Sequence, residues 1–243
     1  VTPHVIAAAV PGPAHLELEG GCQDRVRHLT DDDIVAIAIA DGLGSAPLGG
    51  EGAEAAVAAA IESIDDGDPS CDEAAKQARL ALEKEAHERS VEIRDLACTL
   101  IVCIARDSAV EVGHVGDGGV VGRVDKELHL LSPPGESEYS NEVDHLASDD
   151  WADFLRVSSF EGEVTCLAAF SDGCQRAGLI KGPDGYEPFA GFFDPVFDWA
   201  KTALDPESAS AELGDLLSGP KMTEHSEDDK TLAIAVLHPD AGV

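Results

Sequence analysis

The stretch Ala36-Ile37-Ala38-Ile39-Ala40-Asp41-Gly42-Leu43-Gly44 decides the reading of the chain. Small and β-branched apolar residues run without a polar break, then stop at a carboxylate followed closely by two glycines. Such a run reads as a buried strand that holds Asp41 rigidly at the edge of a core. Gly42 and Gly44 let the backbone come close to whatever the carboxylate binds. The pattern recurs. Residues 110–115 end at Gly116-Asp117-Gly118, and residues 165–170 end at Ser171-Asp172-Gly173. A fourth acidic cluster, Glu227-Asp228-Asp229, stands just before the strand-like run 231–237. One strand ending in Asp-Gly is most simply a turn. Three of them with a reversed fourth predict carboxylates gathered at one rim, and gathered carboxylates need a cation.

Outward from that stretch, residues 5–10 and 15–18 read as short strands joined through Pro11-Gly12-Pro13. Gly20-Gly21-Cys22-Gln23-Asp24 is a turn that places Asp24 at the start of another strand, and Asp31-Asp32-Asp33 is the hairpin tip before the Asp41 strand. Residues 52–64, rich in alanine with Val57, Ile61 and Ile64 at helical spacing, predict a helix. Residues 72–89 predict a second one with a charged outer face. Strands follow over 97–105, 110–115, 120–124 and 128–131, then a loop around Pro133-Pro134-Gly135. Residues 141–160 read as loop plus strand, 164–170 as a buried strand, and 188–204 and 208–217 as helices. With no internal repeat and no linker tract, the expectation is one domain over residues 1–243, an α+β chain whose sheets pack together with helices outside.

Composition narrows the function. At 44% hydrophobic, 243 residues bury a sizeable core. No apolar run is long enough to span a bilayer, and no basic region precedes the first one, so the expected location is cytoplasmic. Asp and Glu number 48 against 16 Lys and Arg, a formal net charge of -32. Nucleic acid and an anionic membrane are poor partners for that surface. The acids are spread through every segment, a pattern resembling proteins of salt-accumulating halophiles, in which salt screens self-repulsion. The six cysteines form no Cys-x-x-Cys pair and read as reduced core residues, which argues against zinc.

The order of motifs resembles the metal-dependent protein phosphatases of type 2C, in a divergent prokaryotic branch. The resemblance rests on Cys22-Gln23-Asp24, Asp41 to Gly44 with the Gly/Ala-rich residues 49–60, and Ala97-Cys98-Thr99-Leu100. It continues through His114-Val115-Gly116-Asp117, Ser171-Asp172-Gly173 and Asp228-Asp229-Lys230-Thr231; Gly12-x-x-His15 and Tyr139-Ser140-Asn141-Glu142 also look like that branch. It implies a four-layer αββα sandwich, two central antiparallel sheets flanked by helix pairs, with two Mg²⁺ or Mn²⁺ ions between the sheets. Carried over, Asp41 bridges both ions, Gly42 lends its carbonyl, and Asp172 and Asp228 bind the first ion. Asp24 acts through metal-held water, and Asp117 matches a third, weaker metal position. Asp24, Asp41, Asp172 and Asp228 are then the catalytic set.

The implied activity is hydrolysis of phosphoserine and phosphothreonine in a phosphoprotein substrate, by a monomer, through a metal-bridging water. Hard divalent ions suit an oxygen-only ligand set. Paired ions roughly 3.5–4 Å apart activate water and neutralise phosphoryl charge, so no Ser, Cys or His nucleophile is required. Three positions depart from the pattern: Gln23 where many members carry Glu, Glu19 where they carry the Arg for substrate phosphate, and Gly118-Gly119 after Asp117. His15 is a candidate substitute for the phosphate ligand. Gln23 and Glu19 motivate the alternative expectation, a weakly active or inactive phosphatase-fold regulator that binds a phosphoprotein partner.

Overall fold

The computed structural model describes residues 3–16, 21–31, 33–66, 69–106, 109–135, 143–183 and 185–237. Glu19 and the segment 139–142, both singled out in the sequence, lie outside the described residues. In chain order the elements are β1 (His4–Val10), α1 (Pro13–Leu16), β2 (Asp24–Thr30), β3 (Ile34–Asp41), α2 (Gly49–Asp66) and α3 (Cys71–Arg89). After a 3₁₀ turn at Ile93–Leu96 come β4 (Leu100–Arg106), β5 (Ala109–Val115), β6 (Gly119–Val124), β7 (Glu127–Ser132), α4 (Trp151–Phe154) and β8 (Arg156–Glu161). The chain continues through β9 (Val164–Phe170), α5 (Asp172–Gly178), β10 (Leu179–Gly182) and β11 (Gly185–Pro188). It closes with α6 (Ala190–Thr202), α7 (Pro206–Leu217), α8 (Pro220–His225) and β12 (Lys230–Val236).

Two five-stranded antiparallel sheets carry the fold, one in the order β2-β3-β4-β5-β8 and the other β1-β12-β9-β6-β7; β10 and β11 form a separate hairpin. Period-two alternation splits each central strand between two cores. Ala36, Ala38 and Ala40 of β3 and Leu100, Val102 and Ile104 of β4 face the helix pair α2–α3. Their alternates Val35, Ile37 and Ile39, with Ile101 and Cys103, meet Leu167, Ala169, Ala233 and Ala235 of the other sheet. The opposite faces of β9 and β12, Cys166, Ala168, Phe170, Leu232, Ile234 and Val236, pack against Phe193 and Phe197 of α6 and Leu213 and Leu217 of α7. Three cores separate four layers. This explains why β3, β4, β9 and β12 are apolar on both faces and read as unbroken runs.

The outer layers follow from small residues and caps. Ala53, Ala56 and Ala60 of α2 face Ala74, Ala75 and Ala78 of α3, all buried, so the helices approach closely. Ser70 caps α3 by accepting from the Glu73 N–H at 3.2 Å, and acids begin that helix while His87 and Arg89 end it. Five cysteines are buried and all six described thiols are free, as expected.

The expectation of a strand over residues 15–18 is corrected at residues 15 and 16, where the chain is helical over Pro13–Leu16; residues 17 and 18 lie outside the described residues. Proline is pre-organised for a helix start, and the turn brings His15 back toward Asp229. The loop plus strand expected over residues 141–160 is met, among residues 143–160, by a loop carrying the short helix α4 and then the edge strand β8; the helix was not foreseen. Helices α5 and α8 and the β10–β11 hairpin were not foreseen, being too short for a period to register. No helix among the described residues is long and apolar enough to cross a membrane.

Candidate metal centre

The β2–β3 hairpin register places Asp24 directly opposite Asp41. Both peptide groups of Asp41 are committed to Thr99. The Asp41 N–H donates to Thr99 Oγ1 at 3.0 Å, and the Thr99 N–H donates to the Asp41 carbonyl at 2.8 Å. The main chain of Asp41 is thereby held on both sides, which aims its carboxylate. Gly42 follows as an isolated bridge to Cys98, its backbone so close to Gly49 that a Cβ at residue 42 would overlap the Gly49 main chain.

Ser171 locks the two sheets together at the same point. Its hydroxyl donates to Asp24 Oδ2 at 2.6 Å and accepts from the Thr231 N–H at 2.9 Å. The end of β9, the start of β12 and the start of β2 thus share one buried hydroxyl. Asp172 begins α5 one residue later, and Gly173 lies against the Asp229 carbonyl where a side chain would not fit.

The two adjacent aspartates before β12 take opposite roles. Asp229 is buried, and its carboxylate accepts from the Gly12 N–H at 2.7 Å and the Gln23 N–H at 2.6 Å, with His15 Nδ1 at 2.9 Å. It ties the N-terminal segment to the Asp24 turn. Asp228 is exposed, its carbonyl accepting from the buried Lys230 ammonium at 2.7 Å. Its Oδ1 accepts from the Asp229 N–H at 2.9 Å. Asp117 sits between two glycines with φ of 104° and 87°, Gly116 and Gly118. The fully buried His114 holds that turn: Nε2 is 2.8 Å from the Asp117 carbonyl and Nδ1 is 2.8 Å from Ser132 Oγ.

Charge is concentrated where solvent is scarce. Burial pushes Asp41 well above the usual carboxylate range, and Asp24, Asp172 and Asp228 add their repulsion. Burial likewise pushes Asp24 up to about 6, against the lowering effect of the Ser171 hydrogen bond. Asp172 rises to about 7, through burial and then the nearby Asp117, Asp228 and Asp24 charges. Asp117 is raised by burial too, with Asp228 contributing. Five carboxylates from separate parts of the chain feel one another. Asp24 Oδ1 and Asp172 Oδ1 are buried with no hydrogen-bond partner.

Orphaned carboxylate oxygens facing like charges form a site that a divalent cation completes, and the oxygen donor set fits a hard ion. The nearby thiols do not compete as nucleophiles: burial raises Cys22 to about 12 and pushes Cys174 up as well.

Of the residues expected from the sequence, Asp24, Asp41, Asp117, Asp172 and Asp228 converge, with Gly42 beside them. His15 lies against Asp229. The sequence reading did not assign Asp229 as the staple, Ser171 as the inter-sheet bolt or Lys230 as the prop under Asp228. For Asp229 the available signal was the doubled aspartate before a strand, in which alternation leaves one residue facing in.

Fold and site together define a metal-dependent phosphatase of the type 2C class. The chain belongs to that family: the model described as protein phosphatase 2C matches residues 11–218. It is 30% identical over 248 residues to Serine/threonine-protein phosphatase 3 of Escherichia coli K12, covering 96% of this chain and 97% of that protein. Among solved structures, the fold is shared with the catalytic domain of the serine/threonine protein phosphatase PstP in complex with two manganese ions. That match has a TM-score of 0.63 at 16% identity, over 97% of this chain and 98% of that one. RsbX in complex with magnesium matches with a TM-score of 0.61 at 14% identity, over 98% and 96%. The chain is a metal-dependent Ser/Thr protein phosphatase.

Proposed function

We propose that Asp41, the Gly42 carbonyl, Asp172 and Asp228 hold two divalent ions, Mn²⁺ or Mg²⁺, with Asp24 acting through water and Asp117 marking a third, weaker site. The observation that carries this reading is the pair of buried, unpartnered oxygens on Asp24 and Asp172, among carboxylates raised by burial and then by neighbouring negative charge. Divalent ions bound there would supply positive charge to the phosphoryl oxygens and lower the pKa of a water that attacks phosphorus.

The protein's own contribution is pre-organisation. Thr99 fixes the Asp41 backbone, Ser171 fixes Asp24, and Lys230 fixes the Asp228 peptide, so the carboxylates do not reorganise as charge develops. The open side of the centre, with Asp228 exposed, admits a phosphoserine or phosphothreonine on a protein segment. His15, raised in pKa by the Asp229 carboxylate 2.9 Å from its Nδ1, is placed to support the Asp228–Asp229 turn. We read residues 1–243 as one catalytic domain, a cytoplasmic monomer suited by its charge of -32 to high salt.

The test is phosphate release from a phosphothreonine peptide with Mn²⁺, at low and at molar KCl. Activity lost by at least 100-fold in Asp172→Asn and on chelation supports the assignment; turnover that persists with chelator present overturns it.

A further inference from the structure

Beside the carboxylate centre lies a cleft of about 670 Å³ whose lining includes Asp172, Asp228, Gln175, Arg176 and Thr223. Arg176 stands one helical turn after Asp172 on α5, so both side chains leave the same face of that helix. It is exposed, and it forms no hydrogen bond or ion pair with any described residue. That is unexpected for a guanidinium in a chain with 48 acids and 16 bases. Glu224 and Glu227 line the same cleft and still do not engage it. Arg25, Arg27, Arg79 and Arg123 all form ion pairs with carboxylates.

We propose that Arg176 is the substrate-binding residue for the phosphoryl group, gripping its non-bridging oxygens from the α5 side while the carboxylate centre addresses phosphorus. This deepens the phosphatase reading and rests on it. The chemistry is selective. A phosphomonoester dianion approaching Asp172 and Asp228 meets repulsion from every side chain of the centre until cations are bound. Among the residues lining the cleft the guanidinium is the one that stays positively charged at any working pH, and its planar fork matches two phosphate oxygens. Gln175 and Thr223 supply neutral donors on the same wall. A structural role does not explain the placement, because Arg176 supports nothing in the fold.

The test is titration calorimetry of inorganic phosphate into the Mn²⁺-loaded protein, with Mn²⁺ affinity measured in parallel, for wild type, Arg176→Ala and Arg176→Lys. The expected result is phosphate binding about tenfold weaker in Arg176→Ala and intermediate in Arg176→Lys, with Mn²⁺ affinity unchanged. Steady-state kinetics on a phosphothreonine peptide and on p-nitrophenyl phosphate should then show KM raised for both. A rise confined to a peptide with acidic flanking residues would reassign Arg176 to the flanks and overturn the proposal. Phosphate affinity within twofold of wild type in Arg176→Ala overturns it, as does a loss that only tracks weaker Mn²⁺ binding, or a Mn²⁺-loaded wild type that binds no phosphate. Phosphate binding that depends on Arg176 in a protein with no turnover would sustain the inference while removing the phosphatase reading.

Discussion

Asp24 and Asp41 are register partners across the β2–β3 hairpin, so the first residue of one strand and the last of the next set a buried and a half-buried carboxylate side by side. The arrangement costs stability in the metal-free protein, because burial raises both groups and the charges of Asp24, Asp172 and Asp228 add to the rise at Asp41. Replacing one charge relieves that cost. Asp41→Asn is expected to raise the metal-free Tm at pH 7.5 by about 2–4 °C, roughly 1 kcal/mol for a chain of this size, while abolishing the Tm gain on adding Mn²⁺. Scanning calorimetry with and without chelator checks it. A variant less stable than wild type in chelator, or one still stabilised by Mn²⁺, would contradict the site.

The same carboxylates set a pH dependence. Asp24 at about 6 and Asp172 at about 7 bind protons more tightly folded than unfolded, where aspartate titrates near 4. Between roughly pH 4 and 7 these two groups hold more protons folded than unfolded, so their contribution to metal-free stability falls as pH rises through that window. Metal binding needs the deprotonated groups, so the Mn²⁺-induced gain should grow over the same window. Thermal melts in chelator and in saturating Mn²⁺ at pH 5.0, 6.0 and 7.5 should diverge progressively; parallel curves would refute the assignment.

Ser171 should behave as a bolt between sheets. Its hydroxyl serves Asp24 Oδ2 and the Thr231 N–H, both buried. Ser171→Ala leaves one acceptor and one donor unpaired, at a cost of about 2–3 kcal/mol. Urea midpoints measure the loss, and an accompanying drop in Mn²⁺ affinity would trace it to the displaced Asp24. A change under about 0.5 kcal/mol, the scale of an ordinary surface substitution, would show that the hydroxyl is not under load.

His114 predicts the acid limb. Burial, and then the Arg156 charge, push its pKa down to about 3, so it folds neutral. Below about pH 6.5 the unfolded chain gains a proton at this residue that the folded chain refuses, so the contribution of His114 to stability is lost as pH falls toward 3. His114→Gln forfeits the contacts to Ser132 and Asp117 and is expected to be less stable than wild type at pH 7.5. It lacks the titration, so the gap should narrow by about 1–2 kcal/mol at pH 5.0. Denaturant midpoints at the two pH values decide; a constant gap would mean that His114 titrates alike folded and unfolded.

The layers were legible because buried strands advertise themselves. The apolar runs at β3, β4, β9 and β12 lie between two cores, and the aspartates that end or precede them had to collect at strand ends. The division of labour between Asp228 and Asp229 was not legible. It depends on Gly12 and Gln23 presenting backbone N–H groups from more than 200 residues away in sequence, and no local pattern encodes that contact. Residues 15 and 16 of helix α1 read as strand in the sequence because a four-residue helix carries too little periodicity to outweigh the alternation His15-Leu16-Glu17-Leu18. Arg176 went unseen because an exposed arginine on a seven-residue helix has meaning only once Asp172 and Asp228 are placed around it.

The account stands on carboxylates from β3, α5 and the turn before β12 sharing divalent ions. Anomalous diffraction from a crystal soaked in MnCl₂ tests this most directly. It should show manganese density enclosed by Asp41, Asp172 and Asp228, next to the Gly42 carbonyl, and none there in an Asp172→Asn crystal treated identically. Manganese bound only elsewhere on the acidic surface, with that enclosure empty at saturating metal, would contradict it.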